Sequence, residues 1–481
     1  MVTPRLPARR FASLLCAAAA GLALASCQRP PPDGAIGGGD VQAALDTLAA
    51  APSQGFTPGE FGEARLAELG RSKAPQDVAA RNRELHAALI AYARAEHGLD
   101  LPASALPKEW ALRPEPYDAE ASLRQAVAAH QFKAWLAAQP PPSPAYRVLQ
   151  QAYVSYLKMA DAGGWPMVTG AARGDVLRQR LAFEDPALPQ AAAAADLAAA
   201  VQRFQAAHGL PTTGRLDAAT ITELNVPAKA RAAQIRANLE RLRWLPRQEP
   251  ATRVEVNTAA GLFDYYQDGR PTLHMLAAAG KPGDETPMLT SAIDAVVLNP
   301  PWNVPEEIAR DEIYPKAASD PDYLAAHNYE ETSDGAGGTR IVQKPGADSA
   351  LGLVKFDFKN PFAVYMHDTP SKAAFARTQR SVSHGCVRLA NAMAFAKLLL
   401  GAEKGWPPER IDQVIASGQT TNVPLARHVP VQLVYLTAFP DAGRIAFRPD
   451  VYGWDAQMLE LLDRVGGRAL AAAPTQRSAA G

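Results

Sequence analysis

The chain has 481 residues, which is long enough for two or three domains. Its 49 Lys and Arg residues are balanced by 49 Asp and Glu residues, so it lacks the net positive charge typical of nucleic-acid-binding proteins. After the first 27 residues, the sequence contains no segment long and apolar enough to span a membrane. We therefore expect a neutral, multidomain protein with no nucleic-acid partner.

The N-terminus has the pattern of an export signal. Arg5, Arg9 and Arg10 precede an apolar run at 11–25. This run of about 15 residues is shorter than the roughly 20 residues that a membrane-spanning helix needs. A cleaved signal peptide explains both features.

The signal ends in Leu24-Ala25-Ser26-Cys27, which resembles the bacterial lipobox. The resemblance predicts acylation of Cys27, and the acyl chains would anchor the protein by burying methylene groups in the membrane. Gln28 follows the cysteine, which by the general sorting pattern of lipoproteins favours the periplasmic face of the outer membrane. The alternative is ordinary cleavage after Ala25, which would release a soluble protein.

Proline and glycine are concentrated at 28–40, which predicts a flexible tether. From 41 to 185 the pattern is helical, because Leu85, Leu89 and Tyr92 follow four- and three-residue steps and prolines separate the segments. No catalytic cluster stands out in this region. A structural, helical scaffold domain is expected.

The segment 186–228 has a more specific pattern. Val201 and Phe204 share one helical face, Gly209 suits a helix C-terminus and Asp217 suits a helix start. The pattern resembles the small three-helix peptidoglycan-binding module of cell-wall enzymes. The resemblance implies that the segment holds the protein near this polymer, and a degenerate copy retained only for packing is the alternative.

The C-terminal half changes from helical to strand periodicity. One linker helix is predicted at 229–250, and a period of two follows it. Asp268-Gly269 is a hairpin signal between two alternating segments. We expect a strand-rich domain at 251–440 and a C-terminal extension at 441–481, so the fold class is multidomain α+β.

Cys386 is the most informative residue. Cys16 lies within the export signal and Cys27 at its end, so processing leaves Cys386 without a partner for an internal disulfide. In an exported protein a lone thiol is either inert and buried or kept for its reactivity. His367 and His384 lie close in sequence, which favours a nucleophile.

Either histidine is a candidate base, because a nearby imidazole can stabilise a thiolate as an ion pair. His384 lies two positions from Cys386, whereas His367 follows the strand-like segment 362–366. Spacing does not choose between them, and a structural hydrogen-bonding role stays open for each. A metal site built from both histidines and Cys386 is a further alternative, although it lacks a fourth ligand and the spacings typical of zinc.

Two neighbours add to this chemistry. Gly385 permits a tight turn in which its amide group and that of Cys386 can point at a developing oxyanion. One such donor is worth about 3 kcal/mol of barrier. Arg388 can bind a carboxylate through two hydrogen bonds.

A motif around these residues resembles the signature of the YkuD-type L,D-transpeptidase catalytic domain. The motif comprises His367-Asp368-Thr369-Pro370, Arg380 and the string 383–389. The order of scaffold, peptidoglycan-binding module and catalytic domain resembles the long, Gram-negative type of this family. The resemblance implies a β-sandwich-like catalytic domain with a lid insertion at about 304–345, and catalysis without a metal or other cofactor.

The resemblance also implies a role for individual residues. It makes Cys386 the nucleophile and His367 the general base and acid, and it makes His384, Gly385 and Cys386 the frame of the oxyanion hole. The lid would exclude water, which decides between transfer and hydrolysis, unless it is a plain surface insertion. The implied substrate-binding residues are Arg388, Ser383, Tyr365 and Trp302.

The resulting hypothesis is acyl transfer between peptidoglycan stem peptides. A thioester on Cys386 would form with release of the terminal D-alanine, and the side-chain amine of a second stem would then give a 3→3 diaminopimelate crosslink. The expected partners are the stem peptides, the glycan and, through the lipid anchor, a membrane. An L,D-carboxypeptidase, a transpeptidase that attaches lipoproteins to the wall, and a non-enzymatic peptidoglycan-binding lipoprotein are the alternatives.

Overall fold

The structure is a computed structural model that describes residues 36, 38–169, 174–188, 194–333, 335 and 338–472. The predicted signal peptide, the lipidation site Cys27 and most of the predicted tether lie outside the described residues. Within the described ranges, no helix combines the length and the apolar character that crossing a membrane requires.

The N-terminal half is helical, as its periodicity predicts. Pro75 and Pro144 each open a helix, at the position where the amide hydrogen that proline lacks would have no helical partner. Short 3₁₀ turns lie at Ala51–Gln54 and Ala103–Ala105. The helices are α1 (Gly38–Ala50), α2 (Glu63–Arg71), α3 (Pro75–Glu96), α4 (Ala119–Ala128), α5 (Phe132–Ala137), α6 (Pro144–Asp161), α7 (Asp175–Ala182), α8 (Ala194–Ala207), α9 (Ala218–Leu224) and α10 (Ala228–Arg243).

Helices α7, α8 and α9 share one apolar core, in which Leu181 of α7 packs with Phe204 and Leu224. The predicted boundary at 185 assigns α7 to the scaffold, whereas the structure packs it with α8 and α9, because periodicity identifies a helix but not its partners. The predicted helix ends are confirmed. Gly209 follows α8 with a φ of +66°, and Asp217 caps α9 by accepting a hydrogen bond of 2.7 Å from the amide of Thr220.

Helix α10 is more than a linker. It is buried on nearly all sides, and Ile235, Leu239 and Leu242 belong to the apolar core between the scaffold and the strand-rich domain. The periodicity predicted a linker helix but not this burial, because the partners of its polar residues, such as Asp455 for Arg241, are distant in sequence.

The C-terminal half is strand-rich, with further helices between and after the strands. The strands are β1 (Arg253–Asn257), β2 (Leu262–Gln267), β3 (Arg270–Gly280), β4 (Leu289–Leu298), β5 (Trp302–Asn303), β6 (Tyr329–Ser333), β7 (Thr339–Gln343), β8 (Val354–Phe358), β9 (Met366–His367), β10 (Ser381–Ser383), β11 (Val387–Leu389), β12 (Thr421–Val434), β13 (Ala438–Asp441) and β14 (Arg444–Phe447). The helices are α11 (Glu306–Ile308), α12 (Tyr314–Ser319), α13 (Tyr323–Ala326), α14 (Ala392–Gly401), α15 (Pro408–Ser417) and α16 (Trp454–Ala472).

Within the described part of the chain, nine strands form the main sheet, in the order β10-β3-β11-β9-β8-β4-β12-β1-β2, and β2 also pairs with β3. This extra pairing closes the sheet on itself, so its two halves enclose a common core. Phe395 of α14 completes that core, with ring centroids 4.9 Å from Phe263 and 4.8 Å from Phe356. The predicted α+β class with a sandwich-like, strand-rich domain is confirmed.

Two local predictions have opposite outcomes. The hairpin at Asp268-Gly269 is confirmed, since both residues have positive φ, as a type I′ turn requires. The strand predicted at 362–366 is wrong except at its last residue. Asn360 accepts hydrogen bonds from the amides of Phe362 and Val364, and this turn gives Ala363 a φ of +53°.

The segment 302–343 forms a small unit of its own. Strands β5, β7 and β6 make a three-stranded sheet, and α11, a π-helical turn at Ala309–Ile313, α12 and α13 pack beside it. Its core contains Val304, Ile313 and Ile341. This unit corresponds to the predicted lid insertion and is called the lid below.

Candidate active site

Strands β9 and β11 bring the predicted site residues to one face of the sheet. The two strands are parallel, with Val387 opposite Met366 and Arg388 opposite His367. Because alternate residues of a strand share a face, the side chains of Cys386, Arg388, Tyr365 and His367 point the same way. All four line a cavity of about 240 Å³ beneath the lid.

Cys386 is a free, half-buried cysteine between β10 and β11. Burial raises the pKa of its thiol, while hydrogen bonding from Tyr365 and the positive charges of Lys355 and Arg388 act in the opposite direction. The thiol form is therefore favoured in the resting protein.

His367 is held as a neutral base. Its side chain is buried, and its Nδ1 donates a hydrogen bond of 2.5 Å to the backbone carbonyl of Asp368. This bond assigns the proton to Nδ1 and leaves Nε2 with a lone pair. Burial, followed by the charge of Arg388, lowers the pKa of His367 to about 3.

The two pKa shifts change one expectation from the sequence. An ion pair between a Cys386 thiolate and an imidazolium would need the thiol pKa lowered and the imidazole pKa raised, which is the reverse of both directions. The physical cause is burial, because it disfavours each charged form. The resting pair is a neutral thiol and a neutral imidazole.

The turn before Cys386 is fixed by its own hydrogen bonds. Gly385 has a φ of +104°, a conformation that favours glycine. The hydroxyl of Ser383 donates to the carbonyl of Cys386 (2.5 Å) and accepts from the amide of Gly385 (3.2 Å). The Gly385 amide is thus engaged within the turn in this state, and Ser383, expected to bind substrate, uses its hydroxyl to hold the turn.

A second layer supports this turn, and sequence reasoning missed it. The hydroxyl of Thr286 donates to the carbonyl of Gly385 (2.7 Å) and accepts from the amide of Gly280 (2.8 Å). The carbonyl of Gly280 in turn accepts a hydrogen bond from the hydroxyl of Tyr452 (2.6 Å). A side chain at Gly280 would not fit, since its Cβ would lie 1.9 Å from the carbonyl oxygen of Asp284. A glycine at the end of a strand, here Gly280, is a sequence signal that another backbone segment packs closely against it.

His384 lies at the mouth of the cavity with an exposed ring. Its Nε2 is 2.8 Å from Oε1 of Glu312 in the lid and 3.1 Å from Nζ of Lys281. The ring therefore contacts the lid, and its predicted place in the oxyanion frame stays a prediction.

The predicted substrate-binding residues Arg388, Tyr365 and Trp302 also line the cavity. Arg388 has a buried Nε without a hydrogen-bond partner and forms no ion pair with the described residues, so it is available to a carboxylate. The Tyr365 and His367 rings pack edge to face at 5.6 Å. Arg380 of the motif lies apart from the cavity and donates to the carbonyl of Ala260 (2.6 Å).

The metal alternative lacks a geometric basis. Among the described residues, no group of three or more His, Cys, Asp or Glu side chains is placed to hold a metal ion. His367, His384 and Cys386 therefore do not form the metal site considered as an alternative.

Three family models match consecutive parts of the chain. The L,D-transpeptidase catalytic domain (YkuD) matches residues 251–415, a scaffold domain matches residues 37–152, and a model described as "Putative peptidoglycan binding domain" matches residues 179–224. The last range includes the end of α7, consistent with the packing of that helix on α8 and α9.

Similar proteins point the same way. A Haemophilus influenzae protein named "Putative L,D-transpeptidase" is 36% identical over 237 residues, which are 46% of this chain and 48% of that protein. The chain thus spans about half the length of this relative.

Among solved structures, an L,D-transpeptidase from Mycobacterium smegmatis is 17% identical, with 38% of this chain and 58% of that chain covered and a TM-score of 0.20. L,D-transpeptidase 3 from Mycobacterium tuberculosis is 16% identical, with 38% and 61% covered and a TM-score of 0.19. The three family models identify an L,D-transpeptidase catalytic domain (YkuD) at residues 251–415, preceded in this chain by a scaffold domain and a peptidoglycan-binding domain.

Proposed function

We propose that this protein is an L,D-transpeptidase that forms 3→3 crosslinks between peptidoglycan stem peptides through a thioester on Cys386. The supporting observation is the convergence in one cavity of a free thiol, a neutral histidine with an unshared Nε2 lone pair and an arginine that has no ion pair among the described residues. The family matches support the reaction class.

The first step forms the thioester. As the Cys386 sulfur attacks the carbonyl of the third residue of a donor stem, its proton passes to Nε2 of His367. The amide bond to the terminal D-alanine then breaks, and His367 gives this proton to the leaving amine. Arg388 binds a carboxylate of the donor stem.

The second step transfers the acyl group. The side-chain amine of an acceptor stem attacks the thioester, His367 takes a proton from this nitrogen, and the carbon–sulfur bond breaks. His367 then returns the proton to the Cys386 sulfur. The reaction needs no external energy source, because the thioester conserves the free energy of the cleaved amide.

Tetrapeptide muropeptides test this proposal. Purified protein should release D-alanine and form crosslinked dimers that mass spectrometry detects. Cys386→Ala should lower both products by at least about 10³-fold, since removal of a nucleophile disables the whole catalytic unit, while binding to insoluble peptidoglycan persists. Release of D-alanine without dimers would instead identify an L,D-carboxypeptidase.

We also propose that the protein is exported to the periplasm and anchored through lipid on Cys27, on the basis of the apolar run and the lipobox-like string. Metabolic labelling with a fatty-acid analogue should mark the wild-type protein but not Cys27→Ser. Equal labelling of the two proteins would contradict the anchor.

A further inference from the structure

The lid contributes one acidic side chain to the cavity that contains the proposed catalytic cysteine. Pro315 has no amide hydrogen, so the carbonyl of Asp311 cannot receive the usual helical bond from that position. The amide of Tyr314 donates to the carbonyl of Ala309 instead, which gives the π-helical turn. Glu312 lies in this turn and lines the cavity.

The cavity is otherwise positively charged. Glu312 is the one carboxylate among the described residues that line it, whereas Arg388 and Lys316 contribute positive charges. An amine that approaches the thioester as an ammonium ion would be repelled by these cations. Glu312 supplies the opposite charge.

Glu312 is also available to a ligand. Its side chain is 42% exposed, and its Oε2 has no hydrogen-bond partner among the described residues. Its Oε1 contacts Nε2 of His384, which Lys281 contacts as well. A ring nitrogen can donate to the carboxylate or accept from the ammonium, but not both at once, so an entering ammonium can replace His384 as the partner of Glu312.

Lys316 stands four residues after Glu312 and lines the same cavity. The π-helical turn departs from regular α-helical spacing, and no ion pair joins these two side chains in the structure. Nζ of Lys316 lies 5.9 Å from the centroid of the Tyr323 ring and pairs with no carboxylate among the described residues. Both charges can therefore meet a ligand that carries an ammonium and a carboxylate on one carbon.

We propose that Glu312 binds the ammonium group of the acceptor stem and that Lys316 binds the carboxylate beside it. The bound ammonium has no lone pair, so it first loses one proton to solvent, and the resulting neutral amine is the nucleophile of the second step. The lid thus recognises the amino-acid head group of the acceptor, and the donor half of the reaction does not require either side chain. This inference rests on the proposed transpeptidation.

Two half-reactions separate the inference from the proposed function. Thioester formation is measured by intact-protein mass with a tetrapeptide donor and no acceptor, and transfer is measured by dimer formation at increasing acceptor concentration. Glu312→Gln should form the thioester at a rate within about twofold of wild type. It should raise the acceptor KM at least about tenfold and shift product from dimer to hydrolysed stem, because the neutral amide lacks the charge that binds the ammonium.

Glu307→Gln is the matched control, because Glu307 is an exposed acid of the same lid that does not line the cavity. A cadaverine acceptor, which lacks the carboxylate, probes the second residue. Wild type should prefer the diaminopimelate stem to cadaverine, and Lys316→Met should reduce this preference.

An acceptor KM of Glu312→Gln equal to that of Glu307→Gln would overturn the inference. An equal loss of thioester formation and of transfer in Glu312→Gln would also overturn it, because this result indicates a structural role for the lid contact. Both results leave the proposed function intact. A wild-type protein that forms neither thioester nor dimer would refute the proposed function itself, and this inference with it.

Discussion

Two buried histidines of this chain differ in how their ring nitrogens are used. In the peptidoglycan-binding domain, both nitrogens of His208 contact carboxylates, Nδ1 with Glu223 at 2.8 Å and Nε2 with Glu184 at 3.1 Å. In the catalytic domain, His367 uses Nδ1 to contact a backbone carbonyl, and its Nε2 has no partner among the described residues. An imidazole whose two nitrogens both have partners serves a structural role, whereas one with a free nitrogen can accept and release a proton.

The surrounding charges differ in the same way. Burial alone would raise the pKa of Glu184, but the charges of His208 and Arg180 hold it below its ordinary value. Around His367, burial and then the charge of Arg388 lower the pKa against the opposing effect of Asp368, and no carboxylate of the described residues forms an ion pair with the ring. The peptidoglycan-binding domain therefore contains paired charges, whereas the candidate active site contains groups whose neutral forms are favoured by burial.

The largest expected effect comes from removing the base. His367→Asn should lower dimer formation about 10²- to 10⁴-fold, the usual contribution of a positioned acid–base group. The melting temperature should change little in comparison. Retention of wild-type turnover would show that another residue transfers the proton. His367 would then not differ from His208 in function.

The neutral state of the catalytic pair predicts a pH dependence. Since burial raises the pKa of Cys386, the thiolate fraction should rise about tenfold per pH unit below that pKa. Alkylation by iodoacetamide, followed by intact-protein mass, should accelerate about 100-fold from pH 6 to pH 8. A rate that is constant over this range would indicate a preformed thiolate–imidazolium pair.

The paired histidine should matter for stability and not for chemistry. His208→Gln should cost about 3 kcal/mol of unfolding free energy, because it leaves the half-buried carboxylates of Glu184 and Glu223 with fewer partners. Calorimetry measures this loss at pH 7, and turnover of soluble muropeptides by the folded fraction should be unchanged.

The carboxylates around His208 also predict how stability changes as the pH falls. The pKa values of Glu184 and Glu223 are lower in the folded protein than their ordinary value of 4.5. Their contribution to stability is therefore present above pH 4.5 and is lost as the pH falls below it. The difference in unfolding free energy between wild type and His208→Gln should become smaller as the pH falls. A difference that grows would contradict the pairing of His208 with these carboxylates.

The smallest effect is expected at the support of the catalytic turn. Thr286→Val removes the hydroxyl that bonds the carbonyl of Gly385 and the amide of Gly280. A lost buried hydrogen bond costs about 1–3 kcal/mol, and we expect roughly tenfold slower thioester formation. Thr290→Val, on the exposed face of β4, is the control and should leave the rate unchanged.

The sequence predicted which residues line the candidate site better than it predicted what surrounds them. Cys386, His367 and Arg388 are close in sequence, so a local motif identified them. Glu312 and Thr286 reach the same place only through the lid and the strand order, which no local pattern encodes.

The errors in the fold have similar causes. The segment 362–366 has strand-like composition, but the side chain of Asn360 bends its backbone. The burial of α10 depends on partners distant in sequence, such as Asp455 in α16. Local signals predicted element types, and tertiary contacts decided their extent and their partners.

The most direct test of the central proposal is the mass of the intact protein after brief exposure to a tetrapeptide donor without acceptor. We predict an increase equal to the donor stem minus D-alanine, located by peptide mapping on Cys386 and absent from Cys386→Ala. Release of D-alanine by the wild-type protein with no adduct on Cys386, and equal release by Cys386→Ala, would contradict the thioester and the role given to this cysteine.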